Sequence, residues 1–119
     1  MDERQVMKVA KALADSTRFS IYRTIAITGE ICCGEIVNRF PIAQATVSHH
    51  LKVLMESGLV DVQRKGQFSY FHAVRDTLDL YRSALGQMFD EGSALVGNEI
   101  PQVHESQVHE SQAKGWTAC

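Results

Sequence analysis

Apolar positions recur with a helical period from the start of the chain. Val6, Val9, Ala10 and Leu13 predict a first helix over about residues 3–13. Asp15 or Ser16 is a suitable cap for a second helix carrying Phe19, Ile21, Tyr22, Ile25 and Ala26, and Gly29 ends it. Residues 31–40 hold Ile31, Ile36, Val37 and Phe40 in a short periodic piece, read as a third helix. Pro41 stops it, because the residue before a proline is pushed away from helical angles. Helix four is expected from about Gln44 to Ser57, with Val47, Leu51, Leu54 and Met55 as its buried stripe. Thr46, Ser48, His49 and Lys52 fall largely off that stripe. Gly58 suits the left-handed residue after a helix end.

The period then changes. Val60 and Val62 alternate with Asp61 and Gln63 as in a strand. Arg64-Lys65-Gly66-Gln67 reads as a turn, and Phe68 to Ala73 as the returning strand. A last helix is expected from Asp76 to about Leu95, with Leu78, Tyr81, Leu85 and Met88 on one face. After Pro101 the pattern fails: Gln102-Val-His-Glu-Ser106 repeats at once as Gln107-Val-His-Glu-Ser111. The fold class is therefore mainly α with one β-hairpin. Residues 1–98 are expected to form one domain, with the pattern of a helix-turn-helix followed by the hairpin, and residues 99–119 a flexible polar tail.

Charge refines this picture. The net charge of −2 does not advertise a nucleic-acid partner. Between residues 39 and 75, however, Arg39, Lys52, Arg64, Lys65 and Arg75 face only Glu56 and Asp61, a local balance of +3. Such a face can grip phosphates with salt-dependent affinity. No apolar run approaches the roughly 20 residues of a membrane span, and Met-Asp-Glu-Arg-Gln does not open a signal peptide. A cytoplasmic protein with reduced thiols and no membrane partner is expected.

A helix fits the major groove, where polar side chains of its first half meet base edges. Gln44, Thr46, Ser48, His49, His50 and Lys52 are the candidates on helix four, with Arg64, Lys65 and Gln67 at the hairpin tip. A double-stranded DNA operator is the implied partner. The rival class is a winged module that binds protein. Catalytic motifs such as Gly-x-Ser-x-Gly or a phosphate-cradling glycine loop do not occur, so no enzyme is expected.

Leu13-Ala-Asp-Ser-Thr-Arg18, Thr46-Val-Ser-His-His-Leu-Lys-Val-Leu54, Gly58-Leu59-Val60 and Arg64-Lys-Gly-Gln-Phe-Ser-Tyr70 together resemble the ArsR/SmtB family of winged-helix repressors. The resemblance covers roughly residues 5–95. It implies a homodimer through the first and last helices, bound to an inverted repeat until an inducer releases it. Pairing would also hide the apolar faces of those helices and set two recognition helices about 34 Å apart. The family commonly caps helix four with serine, where this chain has Ala43.

Cys32-Cys33-Gly34-Glu35 resembles the Cys-Val-Cys-Asp of the family's arsenic sensors, with the second cysteine one place early. Trivalent arsenic or antimony prefers soft thiolates, usually three. Cys32, Cys33 and Cys119 are the only thiols, so As(III), Sb(III) or another thiophilic metal is the expected inducer, and DNA binding itself needs no cofactor. Adjacent helical residues point about 100° apart, so joint ligation needs a distorted turn. Thiol-redox sensing and a regulator without cysteine sensing stay open. The family's zinc site on the last helix is rejected, because residues 76–97 hold no histidine. Residues 1–12 likewise lack the thiols or histidines of its N-terminal site. His104 and His109 read as solvated tail residues, and His72 as structural.

Overall fold

A computed structural model describes residues 1–90 of the chain. The order is α1 (Glu3–Leu13), α2 (Ser16–Thr28), β1 (Glu30–Cys32), α3 (Cys33–Arg39), α4 (Gln44–Glu56), β2 (Val60–Lys65), β3 (Phe68–Ala73) and α5 (Arg75–Asp90). The expected helices and hairpin are present, with one addition. Glu30–Cys32 is a strand, not the start of a helix, and the sheet runs β1-β3-β2, antiparallel throughout.

Local chemistry sets the boundaries. Asp2 and Gln5 cap α1 reciprocally: the Gln5 N–H donates to Asp2 Oδ1 at 2.8 Å and the Asp2 N–H to Gln5 Oε1 at 3.3 Å. Asp15, not Ser16, caps α2 by accepting the Arg18 N–H at 2.9 Å. After α4 the chain closes a Schellman motif. Leu59 N–H reaches the Leu54 carbonyl and Gly58 N–H that of Met55, with Gly58 at φ +85°. The hairpin turn is narrower than expected. Lys65 pairs with Phe68, so Arg64 and Lys65 belong to β2 and only Gly66-Gln67 turns. Gly66 at φ +65° with no positive φ at Gln67 is the signature of a type II′ connection.

The core lies between α1, α2, α3, α4 and the sheet. Val9, Ile21, Ile25, Ile36, Val47, Leu51, Leu54, Leu59 and Phe71 are fully buried. Phe19 and Ala26, expected on the inner face of α2, are exposed. The helix turns its Ile21–Tyr22–Ile25 face inward, and Arg18 joins that face in place of Phe19. On α5 only Ala84 is buried. Leu78, Tyr81 and Leu85 are half-buried, while Leu80, Met88 and Phe89 are exposed. The expected extension of the last helix to about Leu95, the expected tail and Cys119 lie outside the described residues. Among the described residues no helix is long and apolar enough to cross a membrane.

Candidate nucleic-acid interface

The recognition helix begins without a side-chain cap. Ala43 sits at the cap position in extended geometry, and its carbonyl accepts from Thr46 and Val47 N–H, each at 3.0 Å. Its methyl group cannot satisfy the other early donors, so the first turn presents open N–H groups, a natural seat for a phosphate. Gln44, Ala45 and Thr46 are exposed there. Ala45 escaped the sequence reading because it carries no polar group. A methyl on an open first turn is nonetheless suited to contact thymine C5.

Three expected contact residues are elsewhere. Ser48 is fully buried, and His49 and His50 retain only 8% and 2% of their exposure. The physical reason is the number of neighbours: α4 packs against α1, α2, α3 and β2, so its inner face is wider than its apolar stripe. Ser48 and His50 occupy that face as polar core residues. His49 lies at its rim, with Nδ1 buried and without a hydrogen-bond partner among the described residues. Lys52 is half-buried.

His50 is held closely. Arg18, 4% exposed, donates from Nη1 to His50 Nδ1 at 3.2 Å. An arginine has no lone pair to offer, so Nδ1 must be the acceptor and the ring neutral, with its proton on Nε2. Nε2 faces Asp15 Oδ2 at 3.8 Å. Burial is the main force holding His50 below the ordinary histidine range. Asp15 opposes that shift, while Arg18 and His49 add to it. His49 is lowered too, by burial first and then by Arg18 and Lys52.

The hairpin places Arg64, Lys65 and Gln67 on its exposed tip. Lys65 is already engaged. Its Nζ lies 3.1 Å from Glu30 Oε1 and 5.2 Å from the centre of the Tyr70 ring. Glu30 belongs to β1, two residues before Cys32, whose backbone pairs directly with Tyr70. No sequence signal marked Glu30, because its partner lies 35 positions away.

The two adjacent cysteines face different surroundings. Cys32 is half-buried at the cap position of α3 and makes no side-chain cap bond. Cys33 is 2% exposed and packs in the core. Gly34 keeps helical geometry without a positive φ, so the distorted turn that joint ligation needs is not seen. Among the described residues no three His, Cys, Asp or Glu side chains are grouped to hold a metal.

Known proteins agree with this architecture. A helix-turn-helix domain model matches residues 13–63. The arsenical resistance operon repressor of Staphylococcus aureus is 30% identical over 81 residues, covering 66% of this chain and 77% of the relative. An ArsR-like transcriptional regulator from Rhodococcus sp. RHA1 superposes with a TM-score of 0.71 at 22% identity, covering 77% of this chain and 86% of that one. The solution structure of a homodimeric winged helix-turn-helix domain from Mycobacterium bovis gives 0.59 at 29% identity, covering 86% and 89%. An open recognition-helix start, a basic hairpin tip and these relatives converge: the chain belongs to the ArsR family of helix-turn-helix transcriptional regulators.

Proposed function

We propose that the protein is a homodimeric repressor that binds an inverted-repeat operator and is released by a thiophilic metalloid at its cysteines. The observation that carries the DNA reading is the exposed, uncapped first turn of α4, bearing Gln44, Ala45 and Thr46, in the same domain as the basic hairpin tip. Gln44 and Thr46 read bases. Lys52, Arg64, Lys65 and Gln67 hold the backbone. Ser48 and His50 act from inside the helix by fixing its seat, not by touching DNA.

The dimer reading rests on unpartnered apolar side chains. Met7 on α1 and Leu80 on α5 are half exposed, and α1 packs on α5, so one composite surface is left open. The homodimeric M. bovis relative supports the same assembly.

The inducer reading rests on Cys32 and Cys33 at the head of α3, the helix that packs beside α4, and on the similarity to the arsenical resistance operon repressor of S. aureus. In the reduced protein, Cys32 is the accessible thiol and captures As(III) or Sb(III). Adding Cys33 as a ligand requires its side chain to leave the core. The first turn of α3 then distorts, and α4 loses a neighbour. Cys119 is the candidate third ligand. No cofactor is needed for DNA binding, and this regulation belongs in the cytoplasm.

Fluorescence anisotropy with labelled DNA from the region upstream of the gene tests the reading. We expect tight, sequence-selective, salt-sensitive binding that arsenite reverses in reductant. Absence of selective binding defeats the repressor assignment. A Cys32→Ser variant still released by arsenite removes Cys32 from the mechanism, and release by diamide alone points to thiol oxidation at the same residues.

A further inference from the structure

One guanidinium joins three elements of the DNA-reading domain. Arg18 stands in the first turn of α2, where its backbone N–H is already taken by the Asp15 cap. Its side chain turns inward. Nε donates to the Ala12 carbonyl at 2.6 Å and Nη2 to the Lys11 carbonyl at 3.0 Å, closing the last turn of α1. Nη1 reaches His50 in the middle of α4, 32 positions away. The carbonyl end of α1 carries partial negative charge, which suits the cation. The planar fork fixes direction as well as distance, which a lysine cannot do.

His50 follows the exposed turn of α4 by about one and a half turns, at 3.6 residues per turn. Its anchor therefore governs the rotation and depth of the helix that presents Gln44, Ala45 and Thr46. Resting on the DNA reading above, we propose that Arg18 is a positioning residue for operator recognition, acting through neutral His50, and that protonation of His50 disconnects the recognition helix.

The charge chemistry around His50 gives the switch its sign. Asp15 faces it from the α1–α2 link, Arg18 from α2 and His49 from α4 itself, while α1 contributes the Lys11 and Ala12 carbonyls to the shared guanidinium. A proton on Nδ1 removes the acceptor that Arg18 uses and sets two cations against each other. Asp15 offsets part of that repulsion and holds the imidazolium on its own side, away from Arg18. Acid therefore weakens operator binding. Ordinary surface protonation does the reverse, since added positive charge favours DNA.

The test measures operator affinity at constant salt from about pH 7.5 to about pH 5.5, the range in which histidine titrates. The wild type is expected to lose affinity several-fold. In His50→Asn the amide oxygen takes the place of Nδ1 as an acceptor that does not titrate. This variant should bind within about threefold of wild type at neutral pH and lose the acid weakening. His49→Gln should keep it. Arg18→Lys should lose the preference for operator over random DNA while keeping non-specific affinity. Undiminished acid weakening in His50→Asn, or a wild-type specificity ratio in Arg18→Lys, overturns the proposal. Long-range ¹⁵N spectra of the free wild-type protein read the link without DNA or mutation. They should show His50 protonated on Nε2 alone at neutral pH, and a proton on Nδ1 there overturns it. Failure of the wild type to select any DNA, with the Nε2 tautomer in place, would instead count against the DNA reading.

Discussion

Two pairs of identical adjacent residues, Cys32-Cys33 at the head of α3 and His49-His50 in the middle of α4, are treated differently by the fold. Both histidines are inside, and His50 is fixed by Arg18 beside Asp15. The cysteines straddle the surface: Cys33 is in the core, and Cys32 is half-buried at the head of α3. A buried polar pair needs partners and becomes a structural joint. A pair divided between core and solvent can be reached by a reagent and can transmit its arrival inward. The histidines therefore set where the recognition helix sits, and the cysteines are where that setting can be disturbed.

The strongest way to break the joint is Arg18→Met. It leaves the Ala12 carbonyl and His50 Nδ1 without their donor and takes one of two donors from the Lys11 carbonyl, and urea denaturation should show a loss of about 2–4 kcal/mol. In the reduced protein, Cys33→Ser introduces a hydroxyl into the core and should cost about 1–2 kcal/mol, whereas Cys32→Ser should stay within about 0.5 kcal/mol. Equal losses would erase the difference between the two cysteines.

Both histidines are held below their ordinary value. Unfolding then takes up protons as the pH falls, so stability should be level above about pH 6.5 and decline below it. Thermal melts across that range should show the decline, and it should shrink in His50→Asn. Ala43→Ser supplies the missing cap of α4 and should add about 1 kcal/mol in the same melts. The smallest effect is at the wing. The exposed Glu30–Lys65 pair should contribute under about 1 kcal/mol to folding. Glu30→Gln should barely move the melt, yet tighten DNA binding by releasing Lys65 for phosphate. Lys65→Ala should weaken binding to all sequences and lower the salt slope by about 1.

Elements with a period of their own were legible in the residues. The boundaries of α1 and α4, the Gly58 stop and the hairpin strands follow from local rules, and the missing cap at Ala43 from the family resemblance. β1 was not legible, because three residues carry no periodic signal and its partner β3 begins at Phe68. Polarity alone points Ser48 and His50 toward the DNA face. A period ranks positions around a helix, but it cannot count how many neighbours will cover them. Arg18 entered only as the last letter of a motif, and nothing in its surroundings along the chain announced that it would be buried.

The chain by itself determined a helical domain with a basic hairpin and a recognition helix opening near Gln44, because capping, glycine stops and periodicity act over a few residues. Tertiary structure alone decided which polar residues of that helix face inward. It also decided that Lys65 is tied to the strand leading to Cys32 and that the end of α1 is joined to His50 through one arginine. Those assignments depend on contacts 30 or more positions apart, where only packing can choose which partner satisfies a buried polar group.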